Sequence, residues 1–291
     1  MLNCKIIIPQ TYIYSNTAKD MSLEEDVKIQ KKLVILNQAQ NFNIDTALEN
    51  AKTIVYSLLN LPVICSCLKD IDKYTYKHSI NVAVYSVIMG IALNYPHQEL
   101  YDLALGALLH DIGKKYISPR ILNKPGKLTY EEFATVKKHP QLGYNLVKNN
   151  KDLNPLSKTA ILQHHENEDG SGYPFNLKGH KINKFGKIIH MTDVYDALVS
   201  KRVYKEALSP QNALDYIKDN KGIYFDKYMS DMFLRTAPVY PKNSEVTLSN
   251  GEKGIVCKNF INDILRPDIK LANGNIISLR HDSKYKNMII V

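Results

Sequence analysis

Seven side chains in this sequence have the chemistry and spacing to gather round divalent cations: His78, His110, Asp111, His139, His164, His165 and Asp193. The donors are imidazole and carboxylate, with no thiolate among them. That mixture suits iron, manganese, zinc, nickel or cobalt better than calcium or magnesium, which prefer oxygen. The intervals are even: 32 residues from His78 to His110, 28 from Asp111 to His139, 25 from His139 to His164 and 28 from His165 to Asp193. Each holds about one helix and its connection, so successive helices of a bundle can each bring a donor to a shared centre. Six or seven donors exceed the four that one tetrahedral ion needs, and the Asp111 carboxylate can bridge, so the count favours two metals. Adjacent side chains in a helix diverge by about 100°; His164 and His165 can therefore serve one ion only if the backbone is irregular there. His97, His180, His190 and His281 read as ordinary histidines. For His190, inside Lys187 to Asp193, a core place or a role supporting the donors fits equally well.

The elements that must position these donors are mostly helical. Ile80, Val84, Val87, Ile88 and Ile91 recur at helical spacing, and amphipathic runs cover Gln98 to Leu109, Thr129 to Lys138, Pro155 to His165, Lys184 to Ser200, Gln211 to Asn220 and Asp226 to Arg235. Thr129 with Glu132 three residues on predicts a capping box. Gly and Pro punctuate the runs at Lys124-Pro125-Gly126 and between Gly170 and Pro174. Before this region, Ile6 to Tyr14 suits a strand or two, and Leu23 to Leu36 and Asp45 to Leu59 suit helices. After about residue 238 the pattern changes. Val246 to Leu248, Gly254 to Cys257 and Asn275 to Leu279 are short β-branched or alternating runs, with turn signals at Asn250-Gly251 and Asn273-Gly274. The expected fold is mainly α: a helical-bundle domain over 56–237, an ill-defined α/β segment over 1–55 that could be regulatory, and a small β-rich appendage over 238–291.

Composition narrows the partners. Lys and Arg outnumber the acids 38 to 29, a net charge of +9, which favours an anionic partner. No dense basic cluster with interleaved aromatics marks a DNA or RNA groove. No apolar run approaches the roughly 18 residues that span a bilayer, and Ile6 to Ile8 is cut short by Pro9, too brief for a signal-peptide core; a cytoplasmic place is expected. Cys4, Cys65, Cys67 and Cys257 form no Cys-x-x-Cys pair, which excludes a zinc ribbon. Cys65 and Cys67 read as buried thiols. Frequent Lys, Asn, Ile and Tyr fit a low-GC bacterial source.

The flanking residues resemble the HD-GYP family, a branch of the HD phosphohydrolases. Tyr74-Thr75 before His78-Ser79, Ala107 to Lys114 round His110-Asp111, Ile121 to Thr129, His139-Pro140, His164-His165-Glu166 with Asp169 to Pro174, and Asp193 to Leu198 are similar to its ordered blocks. The match runs over about residues 70 to 235. It implies that His78, His110, Asp111 and Asp193 hold one ion, and that Asp111 bridges to a second held by His139, His164 and His165, iron or manganese being the expected metals. Lys114 is matched to a lysine beside the scissile phosphate, and Arg202 and Lys205 to phosphate-contacting residues. The Gly172-Tyr173-Pro174 loop is implied to shape the substrate site and to serve protein contacts; a homodimer is a further candidate assembly. Relatives with a third metal carry a glutamate where this chain has Tyr74, which argues for two. The implied activity is hydrolysis of cyclic di-GMP to pGpG and onward to GMP. The alternatives are cyclic GMP-AMP or another nucleotide as substrate, and a non-catalytic binding module.

Overall fold

The computed structural model describes residues 42–60, 64, 73–200 and 206–291. The strands expected over Ile6 to Tyr14, the helix over Leu23 to Leu36, and Cys4, Cys65, Cys67, Arg202 and Lys205 lie outside them.

Helix α1 (Ile44–Leu59) starts where the Asn43 side chain accepts from the Thr46 amide at 3.0 Å, a cap of the usual kind. Its residues Ile44, Ala47, Leu48, Ala51, Ile54, Val55 and Leu58 are buried, the i, i+3, i+4 stripe of a core-facing helix. It packs on α2 (Lys73–Ala92), which packs in turn on α3 (His97–Leu109). Along α3, Leu100 and every residue from Asp102 to Leu109 are buried; such a helix belongs in the middle of a bundle. Each fully buried Leu there contributes about 1.5–3 kcal/mol through the hydrophobic effect. Because α1 lies in the same core, the helical body takes in residues from Ile44 onward.

A short 3₁₀ turn, Ile112–Tyr116, and α4 (Pro119–Leu122) lead to α5 (Tyr130–Val136). The predicted capping box opens α5: the Glu132 amide donates to Thr129 Oγ1 at 3.2 Å and the Thr129 amide to Glu132 Oε2 at 2.7 Å. Next come α6 (His139–Val147), α7 (Pro155–Gln163), α8 (Lys184–Val199), α9 (Pro210–Asp219) and α10 (Lys227–Thr236). Asn154, Asn183, Ser209 and Asp226 cap α7 to α10 in that order. Helix α7 stops at Gln163, two residues short of the predicted His165, with His164 as its C-cap.

The chain ends in an antiparallel meander, β1 (Glu245–Thr247), β2 (Lys253–Lys258), β3 (Asp268–Leu271) and β4 (Ile276–Ser278), in that spatial order. Val246, Leu248, Val256, Ile269, Leu271, Ile277 and Leu279 make its own small core. Strand β3 was not expected. It is four residues long and half charged, yet its Ile269 and Leu271 point inward and Lys270 outward, the period-2 alternation of a half-buried strand. The sheet is tied to the helical body where Asn259 Nδ2 donates to Asp45 Oδ1 on α1 at 2.7 Å and to the Tyr240 carbonyl at 2.9 Å. Cys257 is a free thiol. No helix among the described residues is long and apolar enough to cross a membrane.

Candidate metal centre

All seven donors predicted from spacing converge. His78, His110, Asp111, His139, His164 and Asp193 are buried, and His165 is partly so. Two groups each place their donor atoms within 4.8 Å of one another: Asp111, His139, His164 and His165, and His78, His110 and Asp111. Asp111 belongs to both. Its Oδ1 faces His139 Nε2 at 3.2 Å and His164 Nε2 at 4.0 Å, while its Oδ2 faces His110 Nε2 at 3.3 Å and His78 Nε2 at 3.9 Å. Asp193 Oδ1 lies 2.9 Å from His78 Nε2 and 3.9 Å from His110 Nε2.

Helix ends put these residues in place. His110 caps α3, His164 caps α7, and His139 opens α6 just after α5. The last carbonyls of a helix have no partner within it, and here the imidazoles take them. Nδ1 of His110 lies 2.7 Å from the Ala107 carbonyl, that of His139 2.8 Å from Val136, and that of His164 2.8 Å from Ile161, each three residues back. A carbonyl only accepts, so Nδ1 donates there and each ring turns its Nε2 edge to the centre. His78 is oriented instead by Asp196, whose Oδ2 lies 2.7 Å from its Nδ1; Asp196 Oδ1 accepts from Asn81 at 2.9 Å.

The 3₁₀ turn after Asp111 sits backbone-to-backbone on the start of α6. A Cβ on Gly113 would stand 1.9 Å from the His139 carbonyl oxygen, so only glycine allows the approach that brings Asp111 to His139. The Gly-Tyr-Pro loop folds over the other side. Glu166 is buried and accepts the Phe175 amide at 2.7 Å and the Leu177 amide at 2.8 Å. The Tyr173 ring stacks on His165, centroids 4.7 Å apart. Gly170 has φ +86°, a left-handed conformation that favours glycine. Gly172 does not; its requirement is steric, since a Cβ there would lie 2.3 Å from the Asn167 nitrogen and 2.4 Å from the His165 oxygen. Tyr74 stacks in parallel on His78 and brings no carboxylate.

The electrostatics are those of a site built for positive charge. Burial opposes protonation of His78, yet Asp193 and Asp196 outweigh it and hold its pKa at about 9. Burial likewise works against ionised Asp111 and Asp193, but neighbouring histidines, with Lys114 for Asp111, keep both well below the usual carboxylate range. Burial, then the neighbouring imidazoles, push His164 and His165 well below the usual histidine value, so both are neutral. Two observations test the fit to a cation. His139 Nε2 and His164 Nε2 face each other at 3.1 Å, close enough for one proton or one cation to lie between them. His110 Nε2 and Asp111 Oδ1 are buried without a hydrogen-bond partner, a costly state for polar atoms. The residues fit a metal.

The matched blocks include Glu166 and Asp196 but give neither a role, and they leave out Lys187. Asp196 was nonetheless legible, three residues after Asp193 and so on the same helical face. Removing a partner that orients a metal ligand costs about 10–100-fold in metal affinity. Asp196→Ala is expected to weaken binding on the His78 side by that factor and Asp196→Asn, which keeps an acceptor, by less; a competitive metal titration reads both.

Comparison with known proteins gives one family. The description "HD domain" matches residues 62–229, which include all seven donors.

This chain belongs to the HD domain family.

Its resemblance to the HD-GYP branch holds over the same stretch. The HD domain chain is 35% identical over 204 residues to a cyclic di-GMP phosphodiesterase of Pseudomonas aeruginosa, covering 70% of this chain and 49% of that protein. It is 33% identical over 209 residues to a cyclic di-GMP phosphodiesterase of Thermotoga maritima, covering 71% and 55%. It is also 32% identical over 197 residues to a 3′3′-cGAMP-specific phosphodiesterase 2 of Vibrio cholerae, covering 67% and 37%. The chain thus spans about half the length, or less, of these relatives.

Proposed function

We propose that this HD domain chain is a metal-dependent phosphodiesterase that opens cyclic di-GMP to linear pGpG and carries hydrolysis on to GMP. The observation that carries the reading is Asp111, whose two oxygens face different histidine groups, the arrangement of a carboxylate shared between two ions. His78, His110, Asp111 and Asp193 would hold one ion, and Asp111, His139, His164 and His165 the other, with iron or manganese matching the imidazole-carboxylate set. Ions held there would supply Lewis-acid charge for the phosphate oxygens and lower the pKa of an attacking water.

The chain's own residues have separable tasks. Asp111 and Asp193, ionised and buried, set the negative potential that attracts cations. Lys114 donates to Asp111 Oδ2 while its side chain stays about one-quarter exposed; the ammonium thus stands at the rim, where it offsets charge developing on the phosphate. Tyr173, stacked on His165, would line the substrate side of the centre. Arg202 and Lys205 complete the phosphate contacts in this proposal. Lys114→Met is expected to lower kcat by about 100-fold with ion content unchanged; equal kcat in the variant would remove the lysine from the reaction.

Product chromatography tests the substrate. Manganese- or iron-loaded protein is expected to convert cyclic di-GMP to pGpG and GMP. Turnover of 3′3′-cGAMP with cyclic di-GMP left intact would favour the second reading, which the similarity to the Vibrio cholerae relative supports. Inertness toward both by protein with bound ions would overturn the proposal.

A further inference from the structure

Helix α8 carries one polar residue every third position on the side that meets the centre: Lys187, His190, Asp193 and Asp196. Three have tasks described by their contacts. Asp193 and Asp196 flank His78, and Lys187 bridges Glu168 at 2.9 Å and Asp226 at 3.1 Å. His190 is the remaining one. It is buried, and its Nδ1 lies 2.9 Å from the main-chain carbonyl oxygen of His164. That carbonyl belongs to the residue where α7 stops and the chain leaves helical geometry. The break is what lets two consecutive imidazoles face the same carboxylate, with ring centroids 4.1 Å apart.

Resting on the metal-centre reading above, we infer that His190 is a positioning residue: by donating from Nδ1 to the His164 carbonyl it pins the helix break that aims His164 and His165 together at the ion on their side of Asp111. Without the donor, a buried carbonyl at the break loses its partner, and buried backbone groups rarely stay unpaired. Resuming the helix would pair it, but would swing the two rings apart by about 100°. The His190 ring also holds its place by packing, 5.2 Å from the Phe225 ring and 6.5 Å from that of His165. Its Nε2 is buried with no partner, so the hydrogen bond to His164 is the polar contact the side chain makes.

Two variants separate positioning from bulk. His190→Leu keeps a branched side chain of similar size and removes the donor. His190→Asn puts an amide N–H close to where Nδ1 stood. Chelated protein is titrated with cobalt(II) alone, with visible absorption and competition by a chromophoric chelator giving the affinity of each ion. The Leu variant is expected to bind one of its two ions about 10–100-fold more weakly, with the other unchanged, and the Asn variant to recover most of the loss. Equal affinities in wild type and Leu variant overturn the inference while leaving the metal centre standing. So does an equal loss at both ions, or an Asn variant as weak as Leu, which would mark His190 as general packing. A wild-type chain that binds no cobalt overturns the metal-centre reading and this inference together.

Discussion

Asp111→Ala is expected to abolish phosphodiesterase turnover, by about 1,000-fold or more, and to empty both ion sites. The basis is geometric. Most donors in the cluster belong to one histidine group or the other, but Asp111 presents Oδ1 to His139 and Oδ2 to His110, each near 3.2 Å. Removing one donor that stabilises a charged transition state already costs about 10²–10³ in kcat; here a single truncation takes a ligand from two ions and the anchor from Lys114. It also leaves His139, His164 and His165 without the carboxylate they share and Asp193 as the remaining ionised donor on the His78 side, so the potential that draws cations in is weakened. The fold is expected to survive, because burial keeps His164 and His165 neutral. Circular dichroism and ion content beside the turnover assay read this: native helicity with no ions and no product is expected. Full turnover would end the shared-carboxylate account.

Gly113→Ala is expected to destabilise the fold by about 3 kcal/mol or more and to lower metal affinity with it. Small-to-large changes in packed interiors commonly cost about 1–3 kcal/mol when side chains can shift. At Gly113 the obstacle is main chain: a Cβ would stand 1.9 Å from the His139 oxygen and 2.6 Å from the Gly143 nitrogen. The 3₁₀ turn and α6 must separate, and they carry Asp111 and His139. Urea unfolding measures the first effect, through a lower midpoint at unchanged slope. A variant as stable as wild type would contradict the close approach. Gly126, whose Cβ would meet nothing within 4 Å, is the control for packing, although its φ of +97° leaves a smaller conformational cost.

The donor set and its bundle were legible because the residues flanking each donor match ordered family blocks and the helices between them are periodic. The Ile80 to Ile91 stripe marked the buried face of α2, and Thr129 with Glu132 the start of α5; α3, read as amphipathic, is instead buried at every position from Asp102 to Leu109. The need for broken helix at His164-His165 was legible too. The means was not: the hydrogen bond from His190 spans 26 residues of sequence, and nothing local marks it. Glu166 and Asp196 stood inside the matched blocks without a role, and Lys187 outside them, for a related reason. Each is a polar residue whose worth lies in a partner on another element, and in isolation it reads as surface. Strand β3 was missed because four residues with two charges give too short an alternation to stand out; its inward Ile269 and Leu271 acquire meaning from the sheet around them. At Gly172 the backbone of Asn167 and His165, on neighbouring turns of chain, forbids a side chain, and nothing in the local sequence marks that crowding.

The central claim is that two ions held round one carboxylate make the chain a phosphodiesterase. The most direct test strips the protein with chelator, then adds manganese in increments while bound ion and cyclic di-GMP cleavage are followed together. The account predicts no product from the stripped protein, and linear pGpG rising to its full rate as the second equivalent binds. Full-rate cleavage by the stripped protein, or saturation of both ions with cyclic di-GMP and 3′3′-cGAMP untouched, would contradict it.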